Sequence, residues 1–586
     1  MKTLQEILKI VEKPSRYTGG EFNDNVVEKD FNYCICFPDV YEVGMSNLGI
    51  KIVQEAIESV DGASVDRCFA PWHDFGKELK ENDILLYSLG LKKPLKDFDM
   101  IGFSLQYEMS YTTILYMLDL AGIPLYAKDR GEEYPIIQGG GPCACNSEPI
   151  ADFFDLFVIG DGEESMVELT KLAKQKLPKK EFLQKASKLQ GVYVPSLVEV
   201  KRENGKIVGF SNTVQKALCK DLDSAVYPKK FLVANCEAVF DRAVIEVMRG
   251  CYRGCRFCQA GFIYRPVRPK TVDTLLAQAK SIVDSTGFEE ISMNSLSTGD
   301  YCGLKELISK IKTEIPQSKL SLPSLRIDSF EGEMTENLRR GSLTFAPEAG
   351  TQRLRDVINK DVSDQEIENC FEMAFNAGYT SIKLYFMLGL PTETNEDLQG
   401  IADIVKKIRD IYARKKSKLA SLRISVSVST FIPKPFTPFQ WEKQATKEEV
   451  EQKIAYLHSA LRMKGVSFAW NDYELSQAEA VLARGDRKLS KLLETLYKKG
   501  SFMEGWSDFF IKQNWEDAYK ECGINPTDYT GEFKEDELLA WDMVDMFIDK
   551  AFLLRERHNA YCQKASKGCN SNCQACGIQK TYKCKI

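Results

Sequence analysis

The stretch MRGCYRGCRFCQAG, Met248–Gly261, decides the fold and the chemistry of this 586-residue chain. It carries Cys251, Cys255 and Cys258 in a C-x3-C-x2-C spacing. Thiolates bind iron–sulfur clusters and zinc, but a closed zinc site needs four ligands, and no Cys or His follows before Cys302. The spacing therefore predicts a four-iron cluster with three protein ligands and one open iron. A zinc site completed from a distant part of the chain and a purely electron-transferring cluster are the alternatives.

The cysteine stretch ends the first of six apolar runs that alternate with helical segments between residues 236 and 470. The runs are AVIEVMRG, EEISMNSLS, KLSLPSLRID, GSLTFAPEAG, TSIKLYFMLGLP and RISVSVSTFIP. Strands that alternate with helices pair in parallel, and six such units predict a partial TIM-like (β/α)6 barrel. Active residues of such a fold lie at the carboxyl ends of the strands, so we expect the cysteines at the active rim.

Residues 1–175 contain a separate α/β series with glycine-rich loops. Its apolar runs predict a doubly wound, Rossmann-like parallel sheet, with ligands bound at the loops that follow the strands. Residues 176–235 form a connector in which Asn204-Gly205 predicts a β-hairpin, and residues 471–586 are mostly helical with a Cys-rich tail. The runs of the first series are NYCICFPD (32–39), DILLYSL (83–89), DMIGFSLQ (99–106), PIIQGGG (135–141) and DLFVIGDGEE (155–164).

The amino-acid composition and net charge limit the classes of function that fit this chain. The net charge of −6 gives no general affinity for nucleic acid, although local basic patches remain compatible with it. No apolar run approaches 18 residues and the N-terminus does not read as a signal peptide, so we expect a cytoplasmic protein without membrane contact. Eighteen Cys then indicate reduced thiols and metal ligation, and three widely spaced His argue against a histidine metal centre.

The cysteine spacing, with Phe257 before the last Cys, resembles the signature of radical S-adenosylmethionine (SAM) enzymes. In that family the open iron chelates SAM, and an electron from the cluster cleaves SAM to methionine and a 5′-deoxyadenosyl radical. The resemblance implies an enzyme that uses a 4Fe-4S cluster, SAM and an electron donor such as a flavodoxin or ferredoxin.

Motifs at the later strand ends resemble the methylthiotransferase-like branch of that superfamily. The loop Asn294–Asp300 lies where the family contacts the SAM amino group, and it offers Ser297 and Thr298, although the usual Gly-Gly-Glu is absent. Arg326 ends the third strand. Gly389 lies in a run similar to Gly-Leu/Phe-Pro-Gly-Glu-Thr, with Thr in place of the second Gly.

The fourth strand run, Thr344–Lys360, resembles the family segment in which a Gln or Glu reaches SAM. By residue match Glu348 takes that role, and Arg353 is a candidate partner for a carboxylate. A carboxylate stabilised by the N-terminus of a helix is the alternative for Glu348.

The N-terminal loops resemble the cobalamin-binding domain that is fused to many radical SAM enzymes. Its usual Asp-x-His-x-x-Gly appears as Asp39-Val-Tyr41-Glu-Val-Gly44, so the resemblance implies cobalamin without a histidine below the metal. A Rossmann-like scaffold without cofactor is the alternative. The later glycines that match this domain are Gly139, Gly140, Gly160 and Gly162.

The tail repeats the C-x3-C-x2-C spacing with Cys569, Cys573 and Cys576. Candidate fourth ligands flank the triplet: Cys562, which we expect to join it, and also His558 and Cys584. A closed site predicts either a second 4Fe-4S cluster or zinc. The lysines of the tail suit a phosphate-bearing substrate, but they also suit a solvated chain end.

Over most of its length the chain resembles cobalamin-binding-domain radical SAM proteins. This implies methylation or sulfur insertion on RNA or on a ribosome-associated protein. Two alternatives stay open: a cobalamin-dependent methyltransferase acting on a small molecule, and a non-catalytic iron–sulfur or zinc protein that binds RNA or assists assembly.

Overall fold

The computed structural model describes residues 1–322, 326–330, 342–415 and 419–584. Within these ranges, no helix is both long enough and apolar enough to cross a membrane.

The N-terminal domain is built on one mixed sheet. Its strands are β1 Phe31–Phe37, β2 Ala63–Phe69, β3 Met100–Ser104, β4 Ile136–Gly140, β5 Leu156–Val158 and β6 Val192–Tyr193. They lie in the order β2-β1-β3-β4-β5-β6, with β1 to β5 parallel and β6 antiparallel. The first five positions have the flavodoxin-like order of doubly wound folds, which confirms the predicted fold class. β6 lies within the predicted connector and extends this sheet.

One predicted strand of this sheet is wrong. The run DILLYSL at 83–89 forms no strand, and Tyr87 makes a single bridge to Pro94. The neighbour of β1 is β2, which the hydrophobic pattern did not indicate because it carries Asp66 and Arg67. Both charged residues are buried, and Arg67 forms ion pairs with Asp24 and Glu21. Pairing of this kind allows a charged segment to occupy a buried strand.

Helices cover the sheet. The fourth of them begins at Asn47, whose side chain accepts the Ile50 N–H (3.1 Å) as an N-cap, and it buries Ile52 and Ala56. The helices of this region are α1 Leu4–Ile7, α2 Ser15–Thr18, α3 Tyr41–Met45, α4 Leu48–Glu58, α5 His73–Glu81, α6 Tyr111–Leu120, α7 Glu163–Ala173 and α8 Lys179–Ala186.

The connector contains an antiparallel hairpin, β7 Val200–Glu203 and β8 Lys206–Phe210. At its turn Asn204 and Gly205 have φ of 48° and 81°, the left-handed geometry that a two-residue hairpin requires. A further short strand, β9 Val214–Gln215, pairs with a strand of the C-terminal region.

The central region has two parallel sheets whose strands alternate with helices. All six predicted strands are present, and β18 adds a seventh at the edge. The first sheet is β10 Ala243–Glu246, β13 Glu290–Asn294 and β14 Lys319–Ser321, and the second is β15 Leu343–Glu348, β16 Ser381–Leu388, β17 Arg423–Thr430 and β18 Val466–Trp470. Between β10 and β13, a small antiparallel ribbon flanks the cysteine stretch: β11 Met248–Arg249 and β12 Arg268–Pro269.

The helices of the central region are α9 Ala260–Ile263, α10 Val272–Thr286, α11 Leu304–Glu314, α12 Gln352–Val357, α13 Asp364–Asn376, α14 Asn395–Lys415 and α15 Lys447–Ala460. Those of the C-terminal region are α16 Tyr473–Arg484, α17 Leu489–Lys498, α18 Lys512–Cys522, α19 Thr527–Thr530 and α20 Lys550–Tyr561, and β19 Val544–Asp545 pairs with β9.

The C-terminal helices pack on the N-terminal domain. Leu492 and Leu496 of α17 share one hydrophobic core with Ile114 and Leu118 of α6. Burial of each such side chain stabilises the contact by about 1.5–3 kcal/mol. The N-terminal domain and the C-terminal region therefore share one hydrophobic core, although about 370 residues separate α6 from α17.

Gly160, after β5, occupies a position that only glycine fits. Its φ is 101°, and a Cβ there would stand 2.2 Å from the Ala217 carbonyl oxygen. We expect Gly160→Ala to lower the free energy of unfolding by about 1–3 kcal/mol, because backbone strain and overpacking add. Thermal unfolding of the full chain measures the loss. Gly209→Ala is the control, since its Cβ would meet no atom within 4 Å; equal melting temperatures for both variants would contradict the prediction.

Candidate metal centre and cofactor cavity

The three cysteines lie on the loop between β11 and β12, beside the carboxyl end of β10. Cys251, Cys255 and Cys258 are all half-buried. The loop is tightly turned, since the Cys258 N–H donates to the Cys255 carbonyl (3.1 Å) and the Gly261 N–H donates to the Cys258 carbonyl (3.1 Å). The chain therefore places three thiols on one compact turn at the predicted rim.

The protonation of these thiols reflects their surroundings. Burial, followed by the neighbouring Cys255, raises the pKa of Cys251 to about 11 and that of Cys258 to about 12. Arg326 opposes the rise at Cys251, and Lys360 opposes it at Cys258. A bound metal would supply the positive charge that the thiolates need. The residues present thus fit a three-thiolate ligand set.

Side-chain positions still have to change for ligation. Within the described ranges, no three His, Cys, Asp or Glu side chains already stand together as a metal site. Thiols rotate readily about one side-chain torsion, so ligation requires Cys251, Cys255 and Cys258 to turn toward a common ion.

Arg253, inside the cysteine spacing, fastens the loop to three others. Its Nε and Nη2 donate to the two carboxylate oxygens of Asp300 (2.9 and 2.6 Å). Its Nη1 lies 2.8 Å from Asp328 Oδ2 and 3.2 Å from Asp361 Oδ2. Although burial opposes it, hydrogen bonds from Arg253 and Ser297 hold the pKa of Asp300 below its usual value. One guanidinium therefore fixes the loop relative to the segments after β13, β14 and α12.

Arg256 fastens the same loop to the C-terminal region. This side chain is completely buried. Its Nη1 donates to the Val357 carbonyl (2.8 Å), and its Nη2 donates to Glu556 Oε2 (3.1 Å) and to the Lys564 carbonyl (2.7 Å). The cysteine loop is consequently held from α12 on one side and from α20 and the tail on the other.

The predicted hydroxyls after β13 are used within their own loop. Ser297 and Thr298 are buried, and they donate to Asp300 Oδ2 (2.7 Å) and to the Met293 carbonyl (3.2 Å). They shape the loop that meets Arg253. Arg326 donates to Asp328 Oδ1 (2.9 Å), and its charge acts on the cysteines, so the structure brings it to the metal centre.

Glu348 ends β15 in a strained conformation. Its φ is 69°, unusual for a residue with a side chain, and its carboxylate accepts from Lys360 Nζ (3.1 Å). Helix α12 begins only at Gln352, four residues later. Because strained backbone concentrates at functional sites, this geometry favours the predicted ligand role over a helix-terminus role.

The other three predicted barrel residues, Phe257, Arg353 and Gly389, have partners within the protein. Arg353 forms an ion pair with Asp397 and donates to the Thr392 carbonyl (2.9 Å). Arg353, predicted to bind the cofactor, is thus already paired with the side chain of Asp397. Gly389 has φ of 80°, and its N–H donates to Glu393 (3.1 Å), so it shapes the turn after β16. Phe257 packs against the hydrophobic cluster that contains Leu354 and Phe439.

A cavity of about 620 Å³ separates the N-terminal sheet from β10 and β13. Gly140, Gly160 and Gly162 line it from the loops of the N-terminal sheet. Gly250, adjacent to Cys251, and Ser295 line it from the central region. The cavity therefore extends from the carboxyl edge of the sheet to the cysteine loop.

Charged side chains close one wall of this cavity. Arg249 binds Asp161 (3.0 Å), Glu163 (2.6 Å) and Glu246 (2.9 Å), and Arg268 also pairs with Asp161. Although burial opposes it, Arg268 and Arg249 hold the pKa of Asp161 well below its usual value. This network joins the loop after β5 to the ribbon that carries the cysteines.

Four residues of the predicted cobalamin set face away from the cavity wall. Asp39 accepts from Trp506 Nε1 (2.9 Å), and the buried Tyr41 hydroxyl accepts the Asn235 N–H (3.0 Å). A Cβ at Gly44 would meet the Phe69 ring at 2.2 Å, and one at Gly139 would meet the Phe157 ring at 2.5 Å. These residues pack the domain, and Gly140, Gly160 and Gly162 remain at the cavity.

The tail lies against the cysteine loop. The Cys569 N–H donates to the carbonyl of Tyr252 (2.8 Å), and the carbonyl of the buried Cys576 accepts the Asp549 N–H (2.8 Å). Cys573 is exposed, as is Cys562, whose Sγ lies 3.5 Å from His558 Nε2. The two cysteine triplets, more than 300 residues apart, are therefore neighbours.

Sequence reasoning did not single out Arg253, Arg256 or Asp361. Their partners lie far along the chain, so no local motif marks them. The one available signal was the presence of two arginines inside the cysteine spacing, where small or apolar residues would have been enough for ligation.

Comparison with protein-family models matches residues 49–195 to the N-terminal domain of radical SAM proteins and residues 245–405 to the radical SAM superfamily. An uncharacterised protein of Methanocaldococcus jannaschii is 29% identical over 79% of this chain and 90% of its own length. An uncharacterised methyltransferase of Pyrococcus horikoshii is 22% identical over 64% and 74%. The ribosomal protein uS12 methylthiotransferase of Desulfotalea psychrophila is 25% identical, but over only 32% of this chain and 46% of its own length.

We expect Arg253→Gln to weaken metal retention at the cysteine loop. Glutamine cannot neutralise Asp300 and Asp328, and an uncompensated buried carboxylate costs about 3–5 kcal/mol. Iron content after anaerobic reconstitution and the decay of cluster absorbance in a chelator measure the effect. Arg462→Gln, at an exposed arginine, is the control. Identical iron retention in both variants would show that the clamp does not support the metal centre.

Proposed function

Because the chain belongs to the radical SAM superfamily, whose members use a 4Fe-4S cluster and SAM, we propose that Cys251, Cys255 and Cys258 hold this cluster. The chain is an enzyme of that superfamily, and SAM is its co-substrate. When bound, the cluster supplies the electron that cleaves SAM to methionine and a 5′-deoxyadenosyl radical. The observation that carries the assignment is the turn of three half-buried thiols fastened by Arg253 at the strand ends.

Each neighbouring residue has a defined part in this proposal. Arg326 and Lys360 offset the negative charge of the thiolates, and Glu348 presents its carboxylate beside Lys360. Gly250 and Ser295 leave room at the mouth of the cavity, where the radical would meet its substrate. A flavodoxin or ferredoxin is the expected electron donor.

The proposed substrate is RNA, to which the enzyme transfers a methyl or a sulfur-containing group. Lys564, Lys567 and Lys583 are exposed on the tail that covers the cysteine loop, and such a basic segment suits a phosphate backbone. A ribosomal protein is the second candidate, supported by the similarity to the uS12 methylthiotransferase.

Replacing one proposed ligand tests the assignment. In Cys255→Ser we expect the iron of one four-iron cluster to be lost and no 5′-deoxyadenosine above background, because serine is a poor ligand for iron in such clusters. Iron analysis and chromatography of SAM products under reducing conditions measure both. Cys302→Ser, at an exposed cysteine outside the spacing, should behave as wild type. Wild-type protein with an intact cluster and neither 5′-deoxyadenosine nor S-adenosylhomocysteine would instead favour the non-catalytic alternative.

Cobalamin is a further proposed cofactor, and the cavity favours it. Open glycines at the carboxyl edge of a flavodoxin-like sheet allow backbone to approach a nucleotide tail, and the opposite wall carries the cysteine loop. With Tyr41 turned toward Asn235, no axial histidine or tyrosine is assigned.

Filling the cavity tests this cofactor. At Gly162 an added Cβ would meet its nearest atoms at 3.5 and 3.6 Å, so leucine fits the backbone and occupies cavity space. We expect cobalt content and the cobalamin absorption spectrum to fall in Gly162→Leu at unchanged iron content. Gly209→Leu, on the hairpin, is the control. If the wild-type protein bound no cobalamin when supplied with it, the result would favour the alternative of a Rossmann-like scaffold without cofactor.

A further inference from the structure

The last cysteine of the described chain returns to the tail triplet. After Cys576 the chain turns at Gly577, whose φ is 111°, and the Tyr582 N–H donates back to the Ile578 carbonyl (2.9 Å). The half-buried Cys584 follows this turn and packs on the hydrophobic core that contains Cys576.

A buried cation with one unpaired nitrogen lies in the same region. Arg265 is 3% exposed, and its Nε donates to the Gly261 carbonyl (3.0 Å). Its buried Nη1 has no hydrogen-bond partner among the described residues. The guanidinium of Arg265 lies over the ring of Phe552 (5.4 Å), and Phe552 follows Asp549, whose N–H donates to the Cys576 carbonyl (2.8 Å). Since an unmet buried donor costs about 1–3 kcal/mol, the Nη1 of Arg265 indicates a missing acceptor in this region.

Cys562, the ligand expected from sequence, stands apart. It caps the exposed end of α20, and its Sγ lies 3.5 Å from His558 Nε2 within the same helical turn. Cys584, in contrast, packs with Tyr582 against the large hydrophobic core.

We propose that Cys569, Cys573, Cys576 and Cys584 form a closed four-thiolate site for an auxiliary 4Fe-4S cluster, with Arg265 donating to a ligand or bridging sulfur. Three close cysteines and one distant cysteine are typical of iron–sulfur ligation, whereas structural zinc sites usually combine two close pairs. Four protein ligands leave no iron open, so this cluster would not take SAM. It would fix the tail against the first cysteine loop through the hydrogen bond between Cys569 and Tyr252.

Metal analysis of single cysteine variants tests the site. The full chain is reconstituted anaerobically with iron and sulfide, and iron, sulfide and zinc are counted per chain. We expect about eight iron atoms in the wild type, about four in Cys584→Ser, and about eight in the matched control Cys562→Ser. In Cys584→Ser the remaining cluster should still change its electron paramagnetic resonance spectrum on addition of SAM, which separates this site from the one proposed at Cys251.

Arg265→Gln provides a second variant that keeps all four cysteines. We expect its tail cluster to lose iron to a chelator faster than that of the wild type, at an unchanged SAM-dependent spectrum. About four iron atoms in the wild type would overturn the proposal without any variant. Loss of iron in Cys562→Ser but not in Cys584→Ser would overturn the ligand set, and one zinc per chain in place of four iron atoms would overturn the cluster.

Discussion

The buried guanidinium of Arg256 is the contact on which the arrangement of the molecule depends. Placed between two of the proposed cluster ligands, it joins the cysteine loop to Val357 of α12 and to Glu556 of α20. A buried ion pair contributes little net stability compared with an apolar contact, but loss of one partner costs about 3–5 kcal/mol. Arg256 therefore acts mainly as a constraint on geometry: it ties the turn of the loop to the docked C-terminal region.

The same logic explains why the cavity lies where it does. A parallel sheet binds ligands at its carboxyl edge, and the central region likewise carries its chemistry at strand ends. The ion pairs from Arg249 to Asp161 and Glu163 connect the edge of the N-terminal sheet to the strand ends of the central region, and the cavity lies between them. Residues of both regions line the cavity, so both are needed to enclose a ligand.

Sequence patterns predict those strands and helices that are buried because their residues are apolar. They do not predict strands whose charged residues are buried by ion pairs with distant parts of the chain. The run that forms β1 is apolar except for Asn32 and is predicted from the sequence, whereas β2 buries Arg67 by pairing it with Asp24 and Glu21. The same limit applied to the site. The cysteine spacing is local and could be found directly, but Arg253 acquires its role only from three aspartates brought together by the fold.

Two identical cysteine spacings also show how surroundings, and not spacing, decide chemistry. At the first triplet the charges of Arg326 and Lys360 act on the thiols, and Gly250 of the same loop lines the cavity. Around the second, Cys584 is the proposed fourth ligand, and the buried Nη1 of Arg265 has no hydrogen-bond partner among the described residues. An open coordination position needs adjacent space that a co-substrate can fill, and the first triplet adjoins the cavity through Gly250. A repeated ligand motif therefore indicates the same kind of metal site, whereas catalysis also requires open space beside the metal for a substrate.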